Sequence, residues 1–346
     1  MAPHSHPSRR TIVELLGDGI SAELSTSVHA VAEALAPRLE RPLEFLPVDL
    51  SQPSRERHGE KLYDQAEGLM REHRASLKYP TATTAESPNK ILRDRLDFAV
   101  IHRPVVTIPS IATNFTQSID IDIVRIGTGG TYEDSGRRLG HDVAVSLRVI
   151  ERVPSTHAAR FAFELARQRR ASVVSASKYT IQRETDGLFE ECCERVKIDF
   201  PDVPHRRELF DSMLAGIIMN PERYQVIVTP NEYGDFLSDM CCGLVGSIAL
   251  GDSASYAFDP HSGAVVAAMF DPAGGTAPDI AGRDKANPFA AFLALSNLLR
   301  FVGESEGQGL LRRAVFQCLA AGEKTDDIGG GLSTRDFTAA VCRRIA

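Results

Sequence analysis

The sequence has no apolar run approaching the roughly 20 residues that a membrane span requires. Its first ten residues, MAPHSHPSRR, also lack the apolar core of a signal peptide. Basic residues are not in excess, because the net charge is -7 and both signs are interspersed along the chain. We therefore expect a cytoplasmic protein with a frayed N-terminus and with neither a membrane nor a nucleic acid as its partner.

Cysteine is also scarce, with six residues, and none of them shows C-x-x-C or Cys/His zinc spacing. Each lies in a helical apolar pattern, which favours buried and reduced thiols. They are Cys192, Cys193, Cys241, Cys242, Cys318 and Cys342.

The 346 residues are 43% hydrophobic and 25% charged, which is typical of a globular protein of two domains or of one large α/β unit. Short β-rich runs alternate with helical ones, and this alternation predicts an α/β fold. The predicted strands are 11–17, 43–50, 97–104, 121–128, 171–178, 224–230 and 264–270. One helix is especially well marked in ANPFAAFLALSNLLRFVGE, where Asn287 is the predicted cap, Pro288 the first helical residue and Gly303 the stop.

Two aspartates stand in the segment NEYGDFLSDM, where a buried helix would normally carry leucines. Asp235 and Asp239 are four residues apart, about one helical turn, so their carboxylates point the same way. A hard divalent cation would remove their repulsion. The bland alternative for Asp235 is an N-cap of a helix beginning GDFLSD, but Asp239 lies a turn inside that helix and needs another partner. Asp211 borders the apolar stripe of RRELFDSMLAGIIMN and is a third candidate ligand.

Arginines recur beside predicted strands and helix starts. SPNKILR places Ser87 and Asn89 near a helix start and Arg93 a turn later, while Arg103 and Arg125 are predicted to end strands. Open α/β sheets bind ligands at strand ends, and several guanidiniums there would bind a substrate with several carboxylates. For any single arginine, an isolated surface position remains the simpler interpretation.

Two residues could transfer protons. Tyr132 lies in a glycine-rich turn, and Lys178 is the last residue of the predicted strand ASVVSASK. A lysine beside a metal-bound hydroxyl would have a lowered pKa and could act as a base, with the tyrosine as the acid. The glycine-rich segment 271–288 could approach a phosphate or a ribose, whereas GDGISAE lacks the third glycine of a dinucleotide fingerprint.

These elements occur together in a known family. From GDGISAE to ANP, the sequence resembles the β-decarboxylating dehydrogenases, the isocitrate and isopropylmalate dehydrogenase family. The resemblance is specific in LKYPT, SPNKILR, TDGLFEECCERV, NPERYQVIVTPNEYGDFLSD, GLVGSIAL and GTAPDIAG.

The resemblance implies a set of catalytic roles. Asp235 and Asp239 would bind Mg²⁺ or Mn²⁺, with Asp211 of the partner subunit completing the site. Lys178 of the partner subunit would take the hydroxyl proton, and Tyr132 would protonate the carbon after carbon dioxide leaves. The active unit would therefore be a homodimer with shared active sites.

Substrate and cofactor residues are implied in the same way. Arg93, Arg103 and Arg125 match arginines that bind the substrate carboxylates, and Ser87 with Asn89 is similar to the pattern of isocitrate dehydrogenases. The cofactor would be NAD, because the carboxylate of Asp279 would repel a 2′-phosphate. The residues matched to cofactor binding are Gly275, Thr276, Ala277, Asp279 and Asn287.

The family fold has two α/β domains with a discontinuous first domain. The resemblance implies a large cofactor-side domain at 1–99 and 252–346 and a small dimerisation and metal-side domain at 100–251. The chain departs from the family at Gly274, at RIGTGG (125–130) and at Thr180, all on the cofactor side. Two functions stay open: an NAD-dependent oxidative decarboxylase of isocitrate or another 3-substituted malate, including 3-isopropylmalate, and a catalytically weak regulatory or structural subunit.

Overall fold

The computed structural model describes residues 9–84, 86–108, 110–246 and 251–346. Most of the predicted frayed N-terminus and the second half of GLVGSIAL therefore lie outside the described residues. The strands are β1 (Arg10–Leu16), β2 (Leu43–Asp49), β3 (Ala75–Lys78), β4 (Phe98–Val106), β5 (Asp120–Ile126), β6 (Arg137–Leu139), β7 (Val143–Val145), β8 (Val173–Ser177), β9 (His205–Leu209), β10 (Val226–Thr229), β11 (Asp252–Phe258) and β12 (Val265–Pro272).

Helices separate most of these strands along the chain. They are α1 (Ser21–Leu35), α2 (Gln52–His58), α3 (Glu60–His73), α4 (Pro88–Leu96), α5 (Arg152–Arg169), α6 (Thr185–Lys197), α7 (Phe210–Met219), α8 (Asn231–Leu244), α9 (Phe289–Phe301), α10 (Ser305–Ala320) and α11 (Thr334–Ile345). None of the helices within the described ranges has the length and apolar character that crossing a membrane would require.

One large sheet organises the chain. Its strand order is β2-β1-β3-β12-β11-β4-β5-β10-β8-β9. Neighbouring strands are parallel from β2 to β12 and again from β5 to β9, while β11 and β4 pair antiparallel with their neighbours between these two sets. The prediction of an α/β fold is confirmed, and all seven predicted strands are present. The domain division stays a prediction, because the sheet runs continuously through both proposed parts.

Helices cover both faces of the sheet. The largest apolar cluster joins α1, α9, α10 and α11 to α5 and α6 on one face. On the other face, α3 and α4 cover the first half and α7 and α8 cover the second. Helix α9 is buried on nearly all sides, as predicted. It begins at Phe289, one residue later than predicted, and the backbone N–H of Phe289 donates to the Asn287 side chain at 3.0 Å.

The two central antiparallel strands bring two of the predicted arginines together. Arg103 lies opposite Ile123, and Arg125 lies opposite Ile101, so the two arginines are diagonal neighbours on the face that α8 covers. The prediction that Arg103 ends its strand is wrong, because β4 continues through Pro104 to Val106. Strand β11 pairs with β4 only as far as His102, so Pro104 has a free strand edge where its missing N–H is tolerated.

The prediction of buried, reduced cysteines is confirmed for five of the six residues. All six thiols are free, and all except Cys342 are buried.

Candidate functional site

A group of charged side chains meets where β4 and β5 pass beneath α8. We call Arg103, Arg125, Tyr132, Asp235 and Asp239 the acid–arginine cluster. An N–H of Arg103 lies 3.4 Å from Asp239 Oδ1 and 3.5 Å from Asp235 Oδ1, and Arg125 pairs closely with the same Asp235 oxygen. The Tyr132 hydroxyl donates to Asp235 Oδ2 at 3.1 Å. Five residues from three parts of the sequence are thus in contact.

Helix α8 sets the direction of the two aspartates. It begins at Asn231, so Asp235 is one turn inside the helix, and the alternative that Asp235 is an N-cap is wrong. Asn231 instead supports the cluster, because its Oδ1 accepts from Arg125 Nε at 2.8 Å. A second polar neighbour, Ser238, accepts from Arg103 at 2.6 Å. Helix α8 therefore supplies both the acids and the groups that orient the arginines.

The cluster carries more positive than negative charge once Arg93 is included. Burial and, to a smaller extent, the nearby Arg103 lower the pKa of Arg125 to about 10, while Asp235 opposes the shift. Burial and Arg103 likewise lower the pKa of Arg93, against the pull of Asp271 and Asp235. A site in which Arg103 depresses the pKa values of both Arg93 and Arg125 is suited to an anionic ligand with several carboxylates.

Helix α4 places the other predicted substrate residues near Arg93. Ser87 is the residue before the helix, with Asn89 and Arg93 one turn apart inside it. Two buried polar atoms of these groups have no protein hydrogen-bond partner, Asn89 Oδ1 and Arg103 Nε. Buried polar atoms are nearly always satisfied in folded proteins, so these two fit contacts with a polar ligand or with water.

Lys178 and Asp211 form a separate pair in the same chain. Lys178 directly follows β8, Asp211 lies in the first turn of α7, and their charged atoms are 2.8 Å apart. The hydrogen bond from Lys178 lowers the pKa of Asp211. The side chains are 29% and 64% exposed, so the pair is accessible to a second molecule. The structure thus brings the predicted residues together as two groups.

The acids fit a divalent cation only in part within one chain. Among the described residues, no group of three His, Cys, Asp or Glu side chains is placed to hold a metal ion. Asp235 and Asp239 supply two hard oxygen ligands on one helix face. A carboxylate has enough lone pairs to accept a hydrogen bond from arginine and to bind a cation at the same time. The donor chemistry therefore fits Mg²⁺ or Mn²⁺, with a third acid to come from elsewhere.

The predicted cofactor loop packs against the start of α1. The Thr276 carbonyl accepts from the backbone N–H of Ile20 at 3.0 Å, and a Cβ at Gly19 would lie 1.9 Å from that carbonyl oxygen. Glu23 accepts from two backbone N–H groups of the loop, those of Gly282 and Asp284. Gly19 and Glu23 of GDGISAE thus hold this loop.

The loop leaves room for a ligand. Nothing lies within 4 Å of where a Cβ would stand on Gly275, and the Asp279 side chain is exposed. Ala277 takes a positive φ of 39°, and the amide of Asn287 donates to Asp327 at 3.0 Å. An open backbone beside an accessible carboxylate fits a nucleotide ribose.

Two further residues, the buried Lys78 and the partly buried Asp271, extend the site and were not predicted from the sequence. Lys78 of LKYPT is 2% exposed, its Nζ donates to the Tyr79 carbonyl at 2.9 Å, and burial lowers its pKa to about 8. Burial raises the pKa of Asp271, and Lys78, Arg103 and Arg93 oppose that rise. The signal available was that both residues lie in or beside blocks already singled out, LKYPT and the glycine-rich segment.

Comparisons with known proteins find relatives along nearly the whole chain. The sequence model described as isocitrate/isopropylmalate dehydrogenase matches residues 11–341. A probable NAD isocitrate dehydrogenase subunit alpha, mitochondrial, of Caenorhabditis elegans is 34% identical over 97% of this chain and 92% of its own length. The 3-isopropylmalate dehydrogenase of Archaeoglobus fulgidus is 33% identical over 95% of this chain and 97% of its own.

A solved structure has the same fold. The crystal structure of isocitrate dehydrogenase from Methylococcus capsulatus superimposes with a TM-score of 0.85 at 28% identity, covering 97% of this chain and 99% of the other. The predictions of the family, of its fold and of a dehydrogenase are confirmed. The chain belongs to the isocitrate/isopropylmalate dehydrogenase family.

Proposed function

We propose that the protein catalyses the metal-dependent oxidative decarboxylation of a 3-substituted malate, isocitrate or a close tricarboxylate-like analogue, with hydride transfer to NAD. The observation that carries this proposal is the convergence of Arg93, Arg103 and Arg125 on Asp235 beside the Tyr132 hydroxyl. Three guanidiniums can bind the carboxylates of such a substrate through bidentate contacts.

Asn89 favours the tricarboxylate over the alkyl-substituted alternative. Its side-chain oxygen is buried and has no protein partner. A carboxylate cannot donate to this oxygen, but a third carboxylate can accept from the amide N–H₂ and from the adjacent arginine, whereas an isopropyl substituent can accept from neither. 3-Isopropylmalate is the second candidate substrate, because a relative from Archaeoglobus fulgidus is named 3-isopropylmalate dehydrogenase.

The residues divide the chemical work. When bound, NAD would accept the hydride and a divalent cation held by Asp235 and Asp239 would stabilise the negative charge that develops as carbon dioxide leaves. Lys178 removes the proton of the substrate hydroxyl. Tyr132, whose hydroxyl already points at Asp235, returns a proton to the carbon. Asp279 binds the ribose hydroxyls, and its charge disfavours a 2′-phosphate.

The proposed active form is a homodimer in which Lys178 and Asp211 complete the site of the other copy. Apolar side chains on the elements around this pair support an interface. Ile218, Met219 and Phe236 of α7 and α8 are 49%, 68% and 59% exposed. Leu139 and Val143 of the small hairpin β6–β7 are 54% and 51% exposed. These exposed apolar side chains support the proposed association of two copies.

The test is NADH formation with Mg²⁺ across a panel of 3-substituted malates. We expect turnover of isocitrate or a related tricarboxylate, loss of activity on chelation of the metal, and much weaker use of NADP. Tyr132→Phe and Lys178→Met should each abolish most of the activity, and Arg152→Gln, an exposed arginine outside the site, should not. Turnover of none of the substrates would reject the proposal.

Complementation tests the shared site. If Lys178 serves the other copy, mixing Tyr132→Phe and Lys178→Met chains gives hybrid dimers with one intact site and one doubly damaged site. Random pairing should then restore about a quarter of wild-type activity. No recovery on mixing, with dimers shown to exchange, would place Lys178 and Tyr132 in the same copy's site.

A second candidate is a catalytically weak regulatory or structural subunit. It is favoured by the departures at Gly274, RIGTGG and Thr180, and by relatives whose names describe subunits alpha. An inert subunit would neither turn over any substrate nor bind NAD in calorimetry. The retained Tyr132, Lys178 and three acids argue for the enzyme, since a non-catalytic subunit has no need of them.

A further inference from the structure

Arg148 is buried between two carboxylates that the proposed chemistry does not use. Its Nε donates to Glu232 Oε1 at 2.6 Å, and its Nη1 pairs closely with Asp186 and donates to Thr185 Oγ1 at 3.1 Å. The Arg148 side chain is 12% exposed, that of Asp186 is fully buried and that of Glu232 is 5% exposed. We call Arg148, Asp186 and Glu232 the Arg148 triad.

Each acid of the triad also accepts a hydrogen bond from a backbone N–H group, either of a proton-transfer residue itself or of its neighbour in the sequence. Asp186 Oδ2 accepts from the backbone N–H of Lys178 itself at 2.6 Å. Glu232 Oε2 accepts from the backbone N–H of Thr131, the residue before Tyr132, at 3.3 Å. One guanidinium therefore ties the end of β8 to the tyrosine turn. Lys178 and Tyr132 are otherwise 46 positions apart in the sequence.

The surrounding packing is adapted to this link. Gly130 has a positive φ of 71°, and a Cβ there would lie 2.1 Å from Glu232 Oε2, so the turn needs glycine beside the acid. The Arg148 guanidinium also lies 5.1 Å from the centre of the Tyr233 ring. Tyr233 stacks on Phe210 at 4.6 Å, directly before Asp211, the ion-pair partner of Lys178. The triad thus reaches both residues that the chain would give to its partner.

We propose that Arg148, through Asp186 and Glu232, is a positioning residue that fixes Lys178 and Tyr132 of one chain relative to each other. This inference rests on the proposed function, in which the two residues serve different active sites of the dimer. A defect at Arg148 in one chain therefore damages its own site through Tyr132 and the partner's site through Lys178. The buried triad would link the two sites of the dimer.

The physical effect follows from burial. Replacing Arg148 by a neutral residue leaves two buried carboxylates without their common cation, so at least one takes up a proton or turns away. The backbone N–H groups of Lys178 and Thr131 then lose a charged acceptor, and both segments gain freedom. Substrate affinity depends on the arginines of the acid–arginine cluster, so the Michaelis constant should change little while kcat falls.

The experiment uses dimers of one wild-type and one variant chain, isolated with two different affinity tags. With Tyr132→Phe in the variant chain, one site is lost and about half of wild-type kcat remains. With Arg148→Gln, both sites are damaged, and we expect kcat to fall to roughly a tenth of wild type or less, with KM within about threefold. With Arg148→Lys, whose ammonium can pair with one acid at a time, an intermediate kcat is expected.

The control and the outcomes keep the two proposals apart. Arg152→Gln removes an exposed arginine on the same segment and should leave the mixed dimer at wild-type activity. A mixed Arg148→Gln dimer that keeps half or more of wild-type kcat would overturn the inference and leave the proposed function standing. If Arg148→Gln does not fold, the Arg148→Lys dimer is measured instead, and a kcat of half of wild type or more would likewise overturn the inference. Wild-type dimers that form no NADH would overturn the proposed function and this inference with it.

Discussion

Glu190 gives a prediction whose size follows from the structure. The side chain is 1% exposed and accepts hydrogen bonds from two serines of β8, Ser175 at 2.6 Å and Ser177, directly before Lys178. Burial raises the pKa of Glu190 to about 7, although both serines oppose the shift. The rise from 4.5 to about 7 corresponds, at about 1.4 kcal/mol per pH unit, to about 3 kcal/mol against the ionised form in the folded chain.

The sign follows from proton linkage. The folded state holds the proton of Glu190 where the unfolded chain has released it, between pH 4.5 and about 7. The protonated group's stabilising contribution is complete below the unfolded pKa and is lost as the pH rises through the folded pKa. Glu190→Gln keeps the shape and cannot ionise. Relative to wild type, it should therefore gain about 2 to 3 kcal/mol of unfolding free energy between pH 5 and pH 8.

The assay is equilibrium urea unfolding of both proteins at pH 5 and pH 8, at one ionic strength and one protein concentration, because a dimer's stability depends on concentration. Glu191→Gln is the matched control, since that neighbour is 66% exposed, and its effect should stay within about 0.5 kcal/mol at both pH values. An equal difference between Glu190→Gln and wild type at the two pH values would refute the reasoning.

Three further predictions concern the site. Asp239→Asn removes one of two cation ligands on α8, so the half-saturating Mg²⁺ concentration for activity should rise roughly tenfold or more; an unchanged metal titration would contradict this role. Asp279→Lys replaces the charge that disfavours a 2′-phosphate, and kcat/KM should shift from NAD towards NADP, whereas an unchanged ratio would exclude the loop from ribose recognition. Asn89→Leu should move the ratio of kcat/KM from isocitrate towards 3-isopropylmalate by roughly 10- to 200-fold; no change would place the third substituent elsewhere.

Many strands could be predicted from the sequence because the pattern that indicates a strand lies within a few neighbouring residues. Short β-rich runs predicted strands such as β1, β5 and β10, because the apolar side chains that bury a strand lie within its own few residues. In the large sheet the pattern missed β3, β9 and β11, whose sequences ASLK, HRREL and DSASYAF are short or interrupted by polar residues. Those strands gain their order from neighbours in the sheet, which single-segment patterns do not contain.

The candidate site was likewise predictable only where its residues are close in the sequence. The spacing of Asp235 and Asp239 indicated one helix face because the helical repeat is fixed, and the two lie on α8 as expected. The pairing of Asp235 with Arg125 and Arg103 joins positions that are more than 100 residues apart. No spacing rule connects such positions, and the same is true of Lys78 with Asp271.

The sequence by itself determined the family, the α/β class and the placement of two acids on one helix, because residue type and short-range period carry that information. Only the tertiary structure decided which charges neutralise one another. Arg148 illustrates the reason, since its two acids lie 38 and 84 positions further along the chain. Which buried charges meet depends on how the whole sheet and its helices pack.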